Sequence, residues 1–222
     1  MVPTEATSRL QPPASFSGRL NCARKFIAES GVSITMKAMN PKTLEDVLDT
    51  YREHGHRLYG ESVTELQHAL QCATFAQQTG EPPVVVAAAL LHDYGHLCHQ
   101  LGEDIAGHGV DARHEHIGAN RLGGLFVDEI VDAGRLHVAA KRYLCWKEPA
   151  YFDELSDASR QSLSLQGGPM MDAEAREFER EPHFELAVRV RRYDDMGKVP
   201  EMSTPDLDSF RPLLESFLIK RL

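Results

Sequence analysis

From Pro41 onward apolar residues recur at helical spacing, and no stretch alternates apolar and polar as a half-buried strand would. Thr43–His54 reads as a first amphipathic helix. Ser62-Val63-Thr64-Glu65 fits a capping box, with Leu66, Leu70, Ala73 and Ala76 following on one face. Pro82-Pro83 opens Val84–Leu91, which is apolar all round and so predicts a buried helix running into His92-Asp93. Further helices are expected at His114–Leu122, Phe126–Leu144, Ser156–Leu165 (broken by Gly167-Gly168-Pro169) and Pro182–Asp195. A last helix, opened by Thr204-Pro205, should run to the C-terminus. The expected class is all-α, a helical bundle without internal repeats. Residues 1–40, rich in Pro and Ser and without a period, predict a poorly ordered leader, and 41–222 the folded domain.

Polar residues inside these helices raise a question of chemistry. His92 and Asp93 lie at the inner end of an apolar helix, where an unpaired charge is expensive. His68, His92, His114 and His137 are 24, 22 and 23 residues apart, each gap about one helix plus a turn. In a bundle that spacing lets one ligand per helix point at a common centre. Asp93 can bridge two ions while its neighbour His92 binds one, and Asp194 adds a second carboxylate. A lone buried His is more often a satisfied core residue; six such positions favour a dinuclear metal site. Imidazole with carboxylate suits iron, zinc or manganese. His54, His56, His99, His108, His116 and His183 read as surface residues.

Composition narrows the partners. The 222 residues carry 24 basic and 33 acidic side chains, net −9, which disfavours nucleic acid. The longest apolar run is too short for a bilayer, and no secretory signal is evident, so a cytoplasmic protein is expected. Cys22, Cys72, Cys98 and Cys145 form no C-x-x-C pair and read as free thiols.

The order H…HD…H…H…D resembles the HD-domain superfamily, mostly phosphohydrolases. Further blocks narrow the resemblance: H-A-L-Q-C-A (68–73), L-L-H-D-Y-G-H (90–96), H-E-H-I-G-A (114–119), H-V-A-A-K-R-Y-L (137–144), L-S-D-A-S-R (155–160), L-Q-G-G-P-M (165–170) and R-R-Y-D-D-M-G-K (191–198). Over roughly 41–200 the chain resembles the mixed-valent diiron HD-domain oxygenases of organophosphonate breakdown, the PhnZ type, distant relatives of the inositol oxygenases. The resemblance implies two irons, Fe(II)/Fe(III), on His68, His92, Asp93, His114, His137 and Asp194, with His92 and Asp93 at the catalytic centre. Asp194 is preferred to Asp195 because it follows Tyr193, as in the family block. His96, Lys141, Ser159 and Arg191 match the family's phosphonate contacts, and charge-assisted donors suit that anion.

One block departs. In R-L-Y-G-E-S (57–62) Leu58 stands where the family has a lid Tyr, and Tyr59 comes one later. Tyr59 could reach the metal, face a substrate ammonium as an aromatic cage, or simply pack; Glu61 is placed to meet that ammonium. Gly95 is expected to let the chain turn after Asp93. The implied activity is O2-dependent cleavage of the C–P bond of a small 2-amino- or 2-(alkylammonio)-1-hydroxyethylphosphonate, giving phosphate and a carboxylate such as glycine. The implied partner is this small anion, with no nucleic acid or membrane, and a homo-oligomer is compatible. Two rivals stay open: a dinuclear HD phosphohydrolase of a nucleotide or phosphate ester, and a non-catalytic HD scaffold.

Overall fold

The computed structural model describes residues 40–59, 62–98 and 111–220. The leader expected over 1–40 lies outside these, save Asn40, whose side chain donates to the Asn120 carbonyl at 3.2 Å. Helix α1 (Leu44–His54) starts where Thr43 and Asp46 cap each other reciprocally. Helix α2 (Glu65–Gln78) is capped by Thr64 with Gln67, not by Ser62 with Glu65. The shift has a physical cause: Val63 is buried, and the backbone before the cap pairs Leu58 with Thr64.

Helix α3 (Pro83–Leu91) is buried almost all round, from Val85 to Leu91. Each fully buried Val or Leu there contributes about 1.5–3 kcal/mol of transfer free energy. Ala87, Ala88 and Ala89 keep its sides thin. Tyr51 of α1 donates its hydroxyl to the Leu90 carbonyl at 2.6 Å, so α1 clamps the end of α3 just before His92. A short helix α4 (Tyr94–Leu97) follows directly.

Beyond the segment 99–110 come α5 (His114–Leu122) and the long α6 (Asp128–Lys147). Then follow α7 (Tyr151–Glu154), α8 (Asp157–Leu165), α9 (Asp172–Phe178) and α10 (Phe184–Met196). Helix α6 packs on α3, α5 and α10, and α2 packs on α3 and α10, so these five surround one buried centre. Among the described residues there are helices and isolated bridges but no strand.

Several expectations need correction. Helix α6 begins at Asp128 and Phe126 is a core residue before it; α10 begins at Phe184. Helices α4, α7 and α9 were not expected, since seven residues or fewer show little period. The expected C-terminal helix is instead a 3-10 turn (Leu207–Phe210) capped by Asp206, then α11 (Arg211–Glu215). The chain after it leaves the helix because Ile219 donates to the Leu125 carbonyl and the Phe217 carbonyl accepts from Val127.

Gly95 also plays another part than expected. Its dihedrals are not left-handed. A Cβ there would fall inside the His114 carbonyl, so the missing side chain lets α4 lie directly against α5. Gly95→Ala is expected to force these helices apart and destabilise the protein by about 2–3 kcal/mol. Urea unfolding should show a lower midpoint at unchanged m-value; a variant as stable as the parent would mean that the two helices do not meet so closely.

Candidate metal centre

The centre is built from four helix positions and one helix end that supplies two residues. His68 comes from α2, Asp194 from α10, His114 from the start of α5 and His137 from α6, while His92 and Asp93 end α3. Arg113, in the left-handed region at φ +50°, sets the turn that presents His114. All six side chains are buried or nearly so.

Asp93 lies between two pairs of imidazoles. Its Oδ2 is 3.5 Å from His68 Nε2 and 3.3 Å from His92 Nε2. Its Oδ1 is 3.3 Å from His114 Nε2 and 3.2 Å from His137 Nε2. Asp194 adds Oδ1 at 3.6 Å from His68 Nε2 and Oδ2 at 3.8 Å from His92 Nε2. Donors bound at about 2.1 Å to one ion, at tetrahedral to octahedral angles, stand roughly 3.0–3.4 Å apart. Two such groups result, His68–His92–Asp93–Asp194 and Asp93–His114–His137, sharing one carboxylate.

The tautomers point the same way. His68 Nδ1–H donates to the Gly197 carbonyl at 2.8 Å, His92 Nδ1–H to Ala89 at 2.8 Å, and His137 Nδ1–H to Gly134 at 2.6 Å. Each bond leaves an Nε2 lone pair facing the centre, the usual arrangement behind a metal-binding imidazole. Neither oxygen of buried Asp93 accepts a hydrogen bond. Buried lone pairs gathered without donors repel one another, and cations placed between them would turn that repulsion into binding. Burial works against a charged Asp93, but His92 and the other imidazoles outweigh it and hold the carboxyl well below its usual range.

Around the centre lie the expected anion contacts. His96 stacks on His114, ring centroids 3.9 Å apart, with its Nε2 4.0 Å from Asp93. Lys141, buried on α6 one turn after His137, donates to Ser162 at 2.7 Å. Arg191 donates to Asp194 at 2.5 Å, to Asp195, to Tyr151 at 3.0 Å and to Ser159 at 3.5 Å. Tyr59 reaches into the centre: its hydroxyl donates to Asp194 at 3.2 Å and its ring stacks on His68 at 3.8 Å. Burial pushes its phenol well up, so the hydroxyl keeps its proton. Glu61 lies outside the described residues, as do His99 and His108. His183 is not a free surface residue: it donates to Asp132 at 2.9 Å.

Sequence reasoning missed Tyr151, Ser162 and Lys198, and weighed Asp195 only as a rival to Asp194, not as a partner of Arg191. Lys198 stands in the R-R-Y-D-D-M-G-K block, which carried the signal without assigning it a part. Cys72 Sγ was also missed, 3.8 and 3.7 Å from the two His68 nitrogens and so along the axis of neither.

No family model matches the chain. It is 44% identical over 163 residues to the (1-hydroxy-2-(trimethylamino)ethyl)phosphonate dioxygenase (glycine-betaine-forming) of Leisingera caerulea, spanning 73% of this chain and 83% of that protein. It is 42% identical over 173 residues to the hydroxymethylphosphonate dioxygenase of Gimesia maris, spanning 78% and 86%. An uncharacterized protein of Acanthamoeba polyphaga mimivirus is 36% identical over 180 residues, spanning 80% and 82%.

Donors arranged in this way are expected to hold two metal ions per chain. Elemental analysis should find close to two in the parent, about one in His137→Ala, and fewer than one in Asp93→Ala, which removes the donor common to both groups. Two ions retained in Asp93→Ala would show that the carboxylate is not shared.

Proposed function

Because the chain belongs to the PhnZ-type family of hydroxyphosphonate dioxygenases, we propose that it uses dioxygen to cleave the C–P bond of a small 1-hydroxyphosphonate, releasing phosphate and a carboxylate. The observation that carries this reading is a shared carboxylate, Asp93, between two imidazole pairs, with Arg191 bonded to both Asp194 and Ser159 and Lys141 bonded to Ser162 on the same helix as Ser159. The two named relatives act on substrates with one common feature, a carbon bearing both hydroxyl and phosphonate. Residues 41–222 then form an HD-domain oxygenase with His68, His92, Asp93, His114, His137 and Asp194 as its ligands.

The donor set fits iron, and dioxygen chemistry selects a redox-active ion over zinc. An Fe(II)/Fe(III) pair would supply activation of dioxygen, and dioxygen the oxidising equivalents for C–P cleavage. The protein's own residues do the rest. Lys141, Ser159, Arg191 and His96 hold the phosphonate and so aim the hydroxyl-bearing carbon at the centre. The Nδ1–H bonds fix the imidazoles, and the buried walls exclude water. Tyr59, bonded to Asp194 and stacked on His68, covers the His68 side and must shift for a ligand to approach there. Its stacked position favours a lid over a cage for the substrate's ammonium; an ammonio substituent would be read by Glu61. Free thiols at Cys72, Cys98 and Cys145 fit a cytoplasmic setting. No helix of the described residues is long and apolar enough to cross a membrane.

Two outcomes test this reading. Iron-loaded protein should release phosphate from hydroxymethylphosphonate or its 2-(trimethylamino)ethyl analogue in air, and none without oxygen. Equal release under both conditions would favour the phosphohydrolase. The second outcome concerns pH. Burial, with Arg191 nearby, pushes Lys141 down to about 7. Above that pH the free protein progressively lacks the proton that the phosphonate needs, so binding must take one up. KM is expected to rise between pH 7 and 9, by at most about tenfold per unit. Lys141→Arg, charged throughout, should flatten the profile; an identical slope in both would assign it to the substrate or another group.

A further inference from the structure

Arg191 is held by two carboxylates, Asp194 and Asp195, which offset its charge. A phosphonate bears up to two negative charges, so most of the attraction must come from elsewhere. Helix α8 shows where. Ser156, Ser159 and Ser162 follow one another a turn apart. Ser162 accepts from Lys141 at 2.7 Å, and Ser159 accepts from Lys198 at 3.0 Å, with Ser156 Oγ at 3.4 Å from the same ammonium. Two lysines, one on α6 and one just past the end of α10, thus meet one row of hydroxyls, and Arg191 reaches Ser159 between them.

The backbone holds Lys198 in place from both sides. The Gly197 carbonyl accepts from His68 Nδ1–H at 2.8 Å. Val199 donates to Gln71 at 2.9 Å and accepts from it at 2.8 Å. A lysine serving only solubility needs no such fixing to the helix that carries His68. Its Nζ also lies 5.7 Å from the centre of the Tyr59 ring, whose hydroxyl touches Asp194. Its charge is felt by both Lys141 and Asp194.

We propose that Lys198 is a further substrate-binding residue, a second lysine that meets the phosphonate opposite Lys141, with Ser159 between them. The proposal rests on the hydroxyphosphonate reading above and deepens it. Lys198 gives the dianion a second counter-charge, and it adjoins the Tyr59 ring that covers the metal side. Arrival of the anion would draw the ammonium from the serines towards a phosphonate oxygen.

The test uses full-length, iron-loaded protein with Lys198→Met and Lys198→Arg. Lys198→Met is expected to raise KM for hydroxymethylphosphonate about tenfold or more, with kcat within about threefold, and to weaken binding of inorganic phosphate by a similar factor in calorimetry. Iron content and Tm should match the parent, and Lys198→Arg should restore KM to within about threefold. KM and phosphate affinity within twofold of the parent in Lys198→Met would overturn the proposal. So would a joint loss of iron and kcat that arginine does not rescue. Should the parent turn over no hydroxyphosphonate, the functional reading fails, yet phosphate calorimetry still decides whether Lys198 binds this anion class.

Discussion

Everything in this protein is arranged around one carboxylate that has no hydrogen-bond donor. Asp93 is buried, ionised and faced by four imidazole nitrogens, two for each oxygen. On the proposed reading, one ion at each oxygen turns such a cluster into a binding site. The fold can carry that load because Asp93 follows a helix buried almost all round, the most thoroughly buried among the described residues. Tyr51 clamps the end of that helix, and the bare Gly95 lets α5 bring His114 in from the other side. Three of the four imidazoles, His68, His92 and His137, are orientated by backbone carbonyls, which set their tautomers.

The second constraint is charge. A protein of net charge −9 must attract a small anion, and it does so by local arrangement. Carboxylates surround Arg191 and fix it as a rigid part of the wall. Lysines bonded to neutral serines keep their charge available to a ligand. Burial makes that charge sensitive to pH at Lys141, where solvation no longer supports the ammonium. On the proposed reading, substrate capture depends in part on Lys141, a buried cation whose protonation burial has made marginal.

Much of this was legible in the sequence. The apolar run 84–91 was bound to be a buried helix, and the histidine spacing placed one ligand on each of several helices. The structure brings all six of the expected ligand residues together. Its resolution failed where information is not local. The capping box moved two residues because Val63 is claimed by the core, and the final helix stopped because Phe217 and Ile219 bond to a distant loop. The position of Tyr59 could not be read from its one-residue offset; stacking on His68 decides it. The carbonyl partners of the imidazoles and the serine row under Lys141 and Lys198 depend on side-chain directions that no periodicity encodes.

The central claim is that Asp93 spans two ions. Anomalous scattering from crystals of the iron-loaded protein tests it most directly. The account predicts two peaks about 3.5–4 Å apart, one beside His68 and His92, the other beside His114 and His137, with an Asp93 oxygen bound to each. A single peak, or two peaks with Asp93 bound to only one of them, would contradict it.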